Sequence, residues 1–311
     1  MFSLYVWILI VIIHNLYLYT WHNDVTSIPT CKKEEFKYIL DNETLVHQST
    51  IYKMGNLQSK KIILFLSGSF QQTFDIYLQK LITDLLVVDY IKNTYQLIVF
   101  EKTDKQSFIC APDLRKYIHD FNNQKKIDEL TLFGFSSGGV IASHTLSLLK
   151  DLKCKKKIIT YDTPYQVMGN VLSYEKTNWL YRPDIYFHYV IIKTYANHYN
   201  YDEIKQFIRH DNWTDGAAEF LQMIFKIHNL TDDEFYNLSG FNFDQEKDTK
   251  IIEIYCENDP IVNRELSDTY IKNNKTIGTN IISDCKKSIG HCSDMWSPNF
   301  DIISIVNHIR I

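Results

Sequence analysis

Apolar residues arrive in short unbroken runs separated by stretches of helical period. "KIILFL" (61–66), "YQLIVF" (95–100), "ELTLFGF" (129–135), "KKIITY" (156–161) and "KIIEIYC" (250–256) read as strands buried on both faces. "LVHQSTIYKM" (45–54) and "GTNIIS" (278–283) read as further strands. Between them, residues 72–91 carry apolar positions at Phe74, Tyr77, Leu78, Leu81, Leu85 and Val88, the spacing of one helix face. Helices are also predicted over 111–122, 138–150 and 263–272, with a closing helix in "FDIISIVNHIRI". Strands alternating with helices predict an α/β fold, a mostly parallel sheet covered on both sides. The alternation stops between 165 and 248, a stretch dense in Tyr, Trp and Phe with helix-like segments, which reads as an insertion between two sheet strands.

Two features stand outside this pattern. The first is the leading "MFSLYVWILIVIIHNLYLYTW", in which no charged side chain occurs before Asp24. Its length suits a bilayer span, although His14 and Asn15 lie within it. A cleaved signal peptide and an apolar helix packed on the domain are the rivals, but for the first no basic segment precedes the run and no small-x-small cleavage site follows it. Residues 1–22 are therefore expected to be a single-pass membrane anchor. Its orientation is left open: Lys32 and Lys33 favour a cytoplasmic domain, while sequons at Asn42, Asn212, Asn229, Asn237 and Asn274 pull the other way.

The second feature is a concentration of glycine. The chain has ten glycines in 311 residues, and three fall in "LFGFSSGGVI" (132–141). Gly134-Phe135-Ser136-Ser137-Gly138 matches G-x-S-x-G and lies between a predicted strand and a predicted helix, the context that sets a serine on a sharp turn with its hydroxyl exposed. Such a hydroxyl needs a base to take its proton and an acid to orient the base. Asp259 follows the strand 250–256 in "ENDPIV", and His291 follows the last predicted strand, directly after Gly290. Ser136, Asp259 and His291 are the candidate catalytic residues, with Glu257 and Asp162 as rival acids. Gly68, in "LFLSGSF", allows backbone N–H groups to turn toward the serine. Ser69 and Ser137 are the candidate oxyanion donors. Gly68, Gly134, Gly138, Gly139 and Gly290 are half of all the glycines, and the sheet would gather their three loops.

Composition changes little. A net charge of −4 and 23% charged residues imply no nucleic-acid-binding surface. Six scattered cysteines without a C-x-x-C pair argue against structural zinc, and no metal or organic cofactor is implied.

On "GFSSGG", "LSGSF", "ENDPIV" and "GH", residues 45–311 resemble the α/β-hydrolase superfamily. The resemblance implies a mostly parallel eight-stranded sheet flanked by helices, with a helical cap inserted after the sixth strand. Residues 45–164 and 249–311 would form the core and 165–248 the cap. It also implies a serine carboxylesterase or lipase-like enzyme; the aromatic insertion and the bilayer tether favour a hydrophobic ester or acyl-lipid as its substrate. A peptidase or amidase with the same triad, and a non-catalytic interaction module, are the alternatives. Ser67 stands where the family often has His, and Cys256 where a Gly is frequent.

Overall fold

A computed structural model describes residues 31–40, 44–66, 76–102, 111–163, 249–256, 281–286 and 301–310, together with Asp259, Val262, Arg264, Glu265, Ser267 and Asp268. These residues contain β1 (Lys32–Ile39), β2 (Val46–Gly55), β3 (Lys61–Leu66), β4 (Gln96–Lys102), β5 (Glu129–Phe135), β6 (Lys155–Tyr161), β7 (Lys250–Cys256) and β8 (Ile281–Lys286). The helices are α1 (Ile76–Val87), α2 (Asp89–Thr94), α3 (Ala111–Gln124), α4 (Ser137–Ser147) and α5 (Ile302–Arg310).

The strands form one eight-stranded sheet in the order β1-β2-β4-β3-β5-β6-β7-β8. β1 pairs antiparallel with β2 and β2 antiparallel with β4, and every other pairing is parallel. Because side chains alternate along a strand, each apolar run supplies two layers at once. Ile63, Phe65, Leu97, Val99, Phe133, Phe135, Ile159, Tyr161, Ile252 and Ile254 join Leu81, Ile82 and Leu85 of α1 and Ile305, Val306 and Ile309 of α5 in one core cluster. The alternate positions Ile62, Leu64, Ile98, Leu132 and Ile158 are also buried, as are Leu114 and Ile118 of α3 and Ala142 and Leu146 of α4.

The structure differs from the expected elements in four places. β1, which the reading omitted, is a charged edge strand whose Phe36 and Tyr38 stack at 4.9 Å while Tyr38 Oη donates to the buried Asp113 carboxylate. The helix expected over 72–91 is broken at Val88, whose extended backbone (φ −81, ψ 107) separates α1 from α2. A β-branched side chain is comfortable there. α4 begins one residue earlier than expected and ends at Ser147. The last strand occupies 281–286, three residues later than "GTNIIS", with Ile281 and Ile282 beside Ile251 and Ile252. The cap expected over 165–248 and the anchor over 1–22 lie outside the described residues.

Candidate active site

β5 ends at Phe135 and α4 begins at Ser137, so Ser136 alone makes the turn from strand to helix. Its φ is 49°, in the left-handed region, and among the described residues only Asp162 (φ 45°) joins it as a non-glycine there. Such a backbone costs about 1–3 kcal/mol and persists only where its surroundings over-determine it. Here the Ser136 N–H donates to Tyr161 O at 2.8 Å, and the Gly139 N–H closes the turn onto Ser136 O at 3.0 Å.

The glycines are required by space. A Cβ on Gly134 would lie 2.4 Å from Gly138 O, and one on Gly139 would lie 1.9 Å from Thr163 Oγ1. The first helical turn therefore rests directly on the backbone at the end of β5 and on the Thr163 side chain just past β6. Ser136 stays half-buried while Phe135 and Gly138 are buried. The N-terminus of α4 stands behind the serine, where unsatisfied N–H groups and the positive end of the helix dipole favour an anion.

The next strand end carries the second strained residue. Asp162 is fully buried, its N–H donates to Ile254 O at 2.9 Å, and its Oδ1 accepts the Cys256 N–H at 2.5 Å. The carboxylate replaces the backbone acceptor that β6 withdraws when it turns away after Tyr161. Cys256 O in turn accepts the Asp259 N–H at 3.3 Å, and Asp259 Oδ1 accepts the Val262 N–H at 3.0 Å. A continuous hydrogen-bonded route thus links the Ser136 turn, through Tyr161, Asp162 and Cys256, to the half-buried Asp259.

Ser136, Ser137, Gly134, Gly138 and Asp259 therefore lie at one edge, the C-terminal ends of the parallel strands, where loops of an open α/β sheet build sites. β5 and β7 are separated by β6 alone. Two strand spacings put their ends about 10 Å apart. Gly68, Ser69, Glu257, Gly290 and His291 lie outside the described residues. Sequence reading missed Thr163, whose buried Oγ1 has no hydrogen-bond partner among the described residues and which sits against Gly139. It weighed Asp162 only as a rival acid; an aspartate ending a buried strand was the available signal.

No protein-family model and no curated protein matches this chain. Its fold is similar to solved structures. An esterase from Pyrococcus furiosus is 13% identical with a TM-score of 0.55, the match covering 93% of this chain and 94% of that one. A homoserine O-acetyltransferase from Bacillus anthracis is 13% identical with a TM-score of 0.55, covering 91% of this chain and 99% of that one. Fungal esterase from Rhizomucor miehei is 12% identical at a TM-score of 0.52, covering 91% and 84%. The fold that these likenesses define is the α/β-hydrolase fold.

Proposed function

We propose that this chain is a membrane-anchored serine hydrolase that cleaves carboxylic esters or thioesters of hydrophobic acyl groups. Ser136 Oγ attacks the carbonyl carbon, His291 takes the hydroxyl proton and returns it to the leaving group, and Asp259 orients the imidazole. The oxyanion is met by the N–H groups of Ser137 and Ser69. Water, deprotonated by His291, then releases the acid from the acyl-enzyme.

The observation that carries this reading is the left-handed Ser136 between β5 and α4, held against glycines that admit no side chain. Reach supports the histidine. From β8 to β5 is three strand spacings, about 14 Å. The five residues from Lys286 to His291 can extend about 17 Å. Asp259 Oδ1 accepts the Val262 N–H at 3.0 Å, which fixes the carboxylate in the loop that follows β7. The bilayer span is proposed for residues 1–22; among the described residues no helix is long and apolar enough to cross a membrane.

A fluorophosphonate probe tests the nucleophile. The wild-type chain is expected to label and to hydrolyse p-nitrophenyl esters, and Ser136→Ala to do neither while keeping its thermal unfolding transition. A folded wild-type chain that takes no label refutes the reading.

A further inference from the structure

In an open parallel sheet the two ends are chemically distinct, and here the end opposite Ser136 is built from lysine. Lys60 and Lys61 enter β3, Lys125 and Lys126 precede β5, Lys155 enters β6 and Lys250 enters β7. Register brings them together: Lys61 pairs with Glu129, Glu129 with Lys155, and Lys157 with Lys250. The Asp128 N–H donates to Lys60 O at 3.0 Å and the Lys155 N–H to Asp128 O at 3.1 Å, so the three loops form one surface. Burial, then the ammonium groups of Lys53 and Lys60, push the Lys125 ammonium below its usual range. Burial likewise depresses Lys157, which Glu129 opposes and Lys250 and Lys61 reinforce.

Glu34, Asp128, Glu129 and Asp151 are the acids described at this end; Glu34 is shared between Lys32 at 2.6 Å and Lys53, and Glu129 between Lys61 at 3.4 Å and Lys157 at 3.9 Å. Lys60, Lys126 and Lys155 are exposed, and among the described residues none of the three makes an ion pair. A cationic face on a chain of net charge −4 is a local arrangement made by the fold. The leading chain arrives at this same end. Lys32, the first residue of β1, pairs with Lys53, which pairs with Ile98 near the start of β4.

We propose that this base is a docking face for an anionic phospholipid surface, which holds the Ser136 turn at the opposite end of the domain, toward water. The choice of a lipid surface rests on the proposed anchor: residues 22–31 join the apolar run to β1, and ten residues reach at most about 35 Å. Juxtamembrane lysines are drawn to anionic headgroups within a Debye length. β5 runs from base to turn over seven residues, which sets Ser136 roughly 20 Å above the lysines. The substrate is accordingly an ester that comes to the site through water, and an acyl-lipid has to leave the bilayer to be cleaved.

The full chain, mixed with vesicles of phosphatidylcholine alone or with added phosphatidylserine, tests this by amine acylation read at each lysine by mass spectrometry. With phosphatidylserine, labelling of Lys60, Lys126 and Lys155 is expected to fall about tenfold relative to exposed Lys37, and about 0.5 M salt to restore it. The variant carrying Lys60→Gln, Lys126→Gln and Lys155→Gln keeps wild-type ester turnover, and its remaining base lysines lose the lipid-dependent protection. Equal labelling on both lipids overturns the proposal, as does protection by a soluble polyanion with none by vesicles. Flotation with phosphatidylcholine alone reads the anchor separately. If the chain stays in solution there, docking survives only if wild type floats with phosphatidylserine and the triple variant does not.

Discussion

Gly139 shows how little room the serine turn leaves. Alanine there would put a methyl 1.9 Å from Thr163 Oγ1 and 2.9 Å from Thr163 Cβ. Gly139→Ala is expected to destabilise the domain by about 1–3 kcal/mol in urea unfolding, as overpacking of a close contact does. Adding Thr163→Ala should recover only part of that, since the Cβ remains. Asp162 acts through its neighbours. Asp162→Ala strands the buried Cys256 N–H and places a residue without a polar side chain in the left-handed region. Ester turnover should show kcat lowered about 10–100-fold with KM little changed, because the Asp259 loop loses its register against Ser136. Asp162→Asn retains the acceptor and tolerates the backbone, so it should restore most of kcat. An Asn variant as inactive as the Ala variant would transfer the catalytic acid from Asp259 to Asp162.

At the scale of elements, the strands buried on both faces were legible because Ile, Leu, Val and Phe leave no other interpretation of a six- or seven-residue run. β1 was not, because six of its eight residues are Lys, Glu or Tyr and an edge strand needs apolar residues on one face only. Its signal was the alternation Glu34, Phe36, Tyr38, which is short and half polar. β8 was displaced by three because "IISDCK" has only two apolar residues before Ser, Asp, Cys and Lys, whereas "GTNIIS" has a glycine boundary. Glu34 gives the hairpin a pH dependence. Burial raises its carboxyl, but Lys32 and Lys53 outweigh that and hold it below the ordinary 4.5. A carboxyl depressed in the fold stabilises at pH above its unfolded value and loses that contribution as pH falls through the folded one. The unfolding midpoints of wild type and Glu34→Gln are thus expected to differ near neutrality and to converge as pH falls below the ordinary 4.5, the difference being small for a half-buried pair at the sheet edge.

For the whole molecule, the sequence named the residues but only the sheet order collected them. Ser136 and Asp259 are far apart in the chain and lie on strands separated by one neighbour. The lysines of the base were equally visible in the sequence, as short runs or single residues at strand starts, yet no local pattern says that their loops share one surface. Order along the sheet also decides how the domain answers a pull. The leading chain joins β1, at the sheet edge, and β2, β4 and β3 stand between it and β5. A load transmitted through that tether is taken first by the β1–β2 ladder, which can unzip one rung at a time. Mechanical failure would begin in the hairpin, leaving the strained turn at Ser136 shielded by three intact strands.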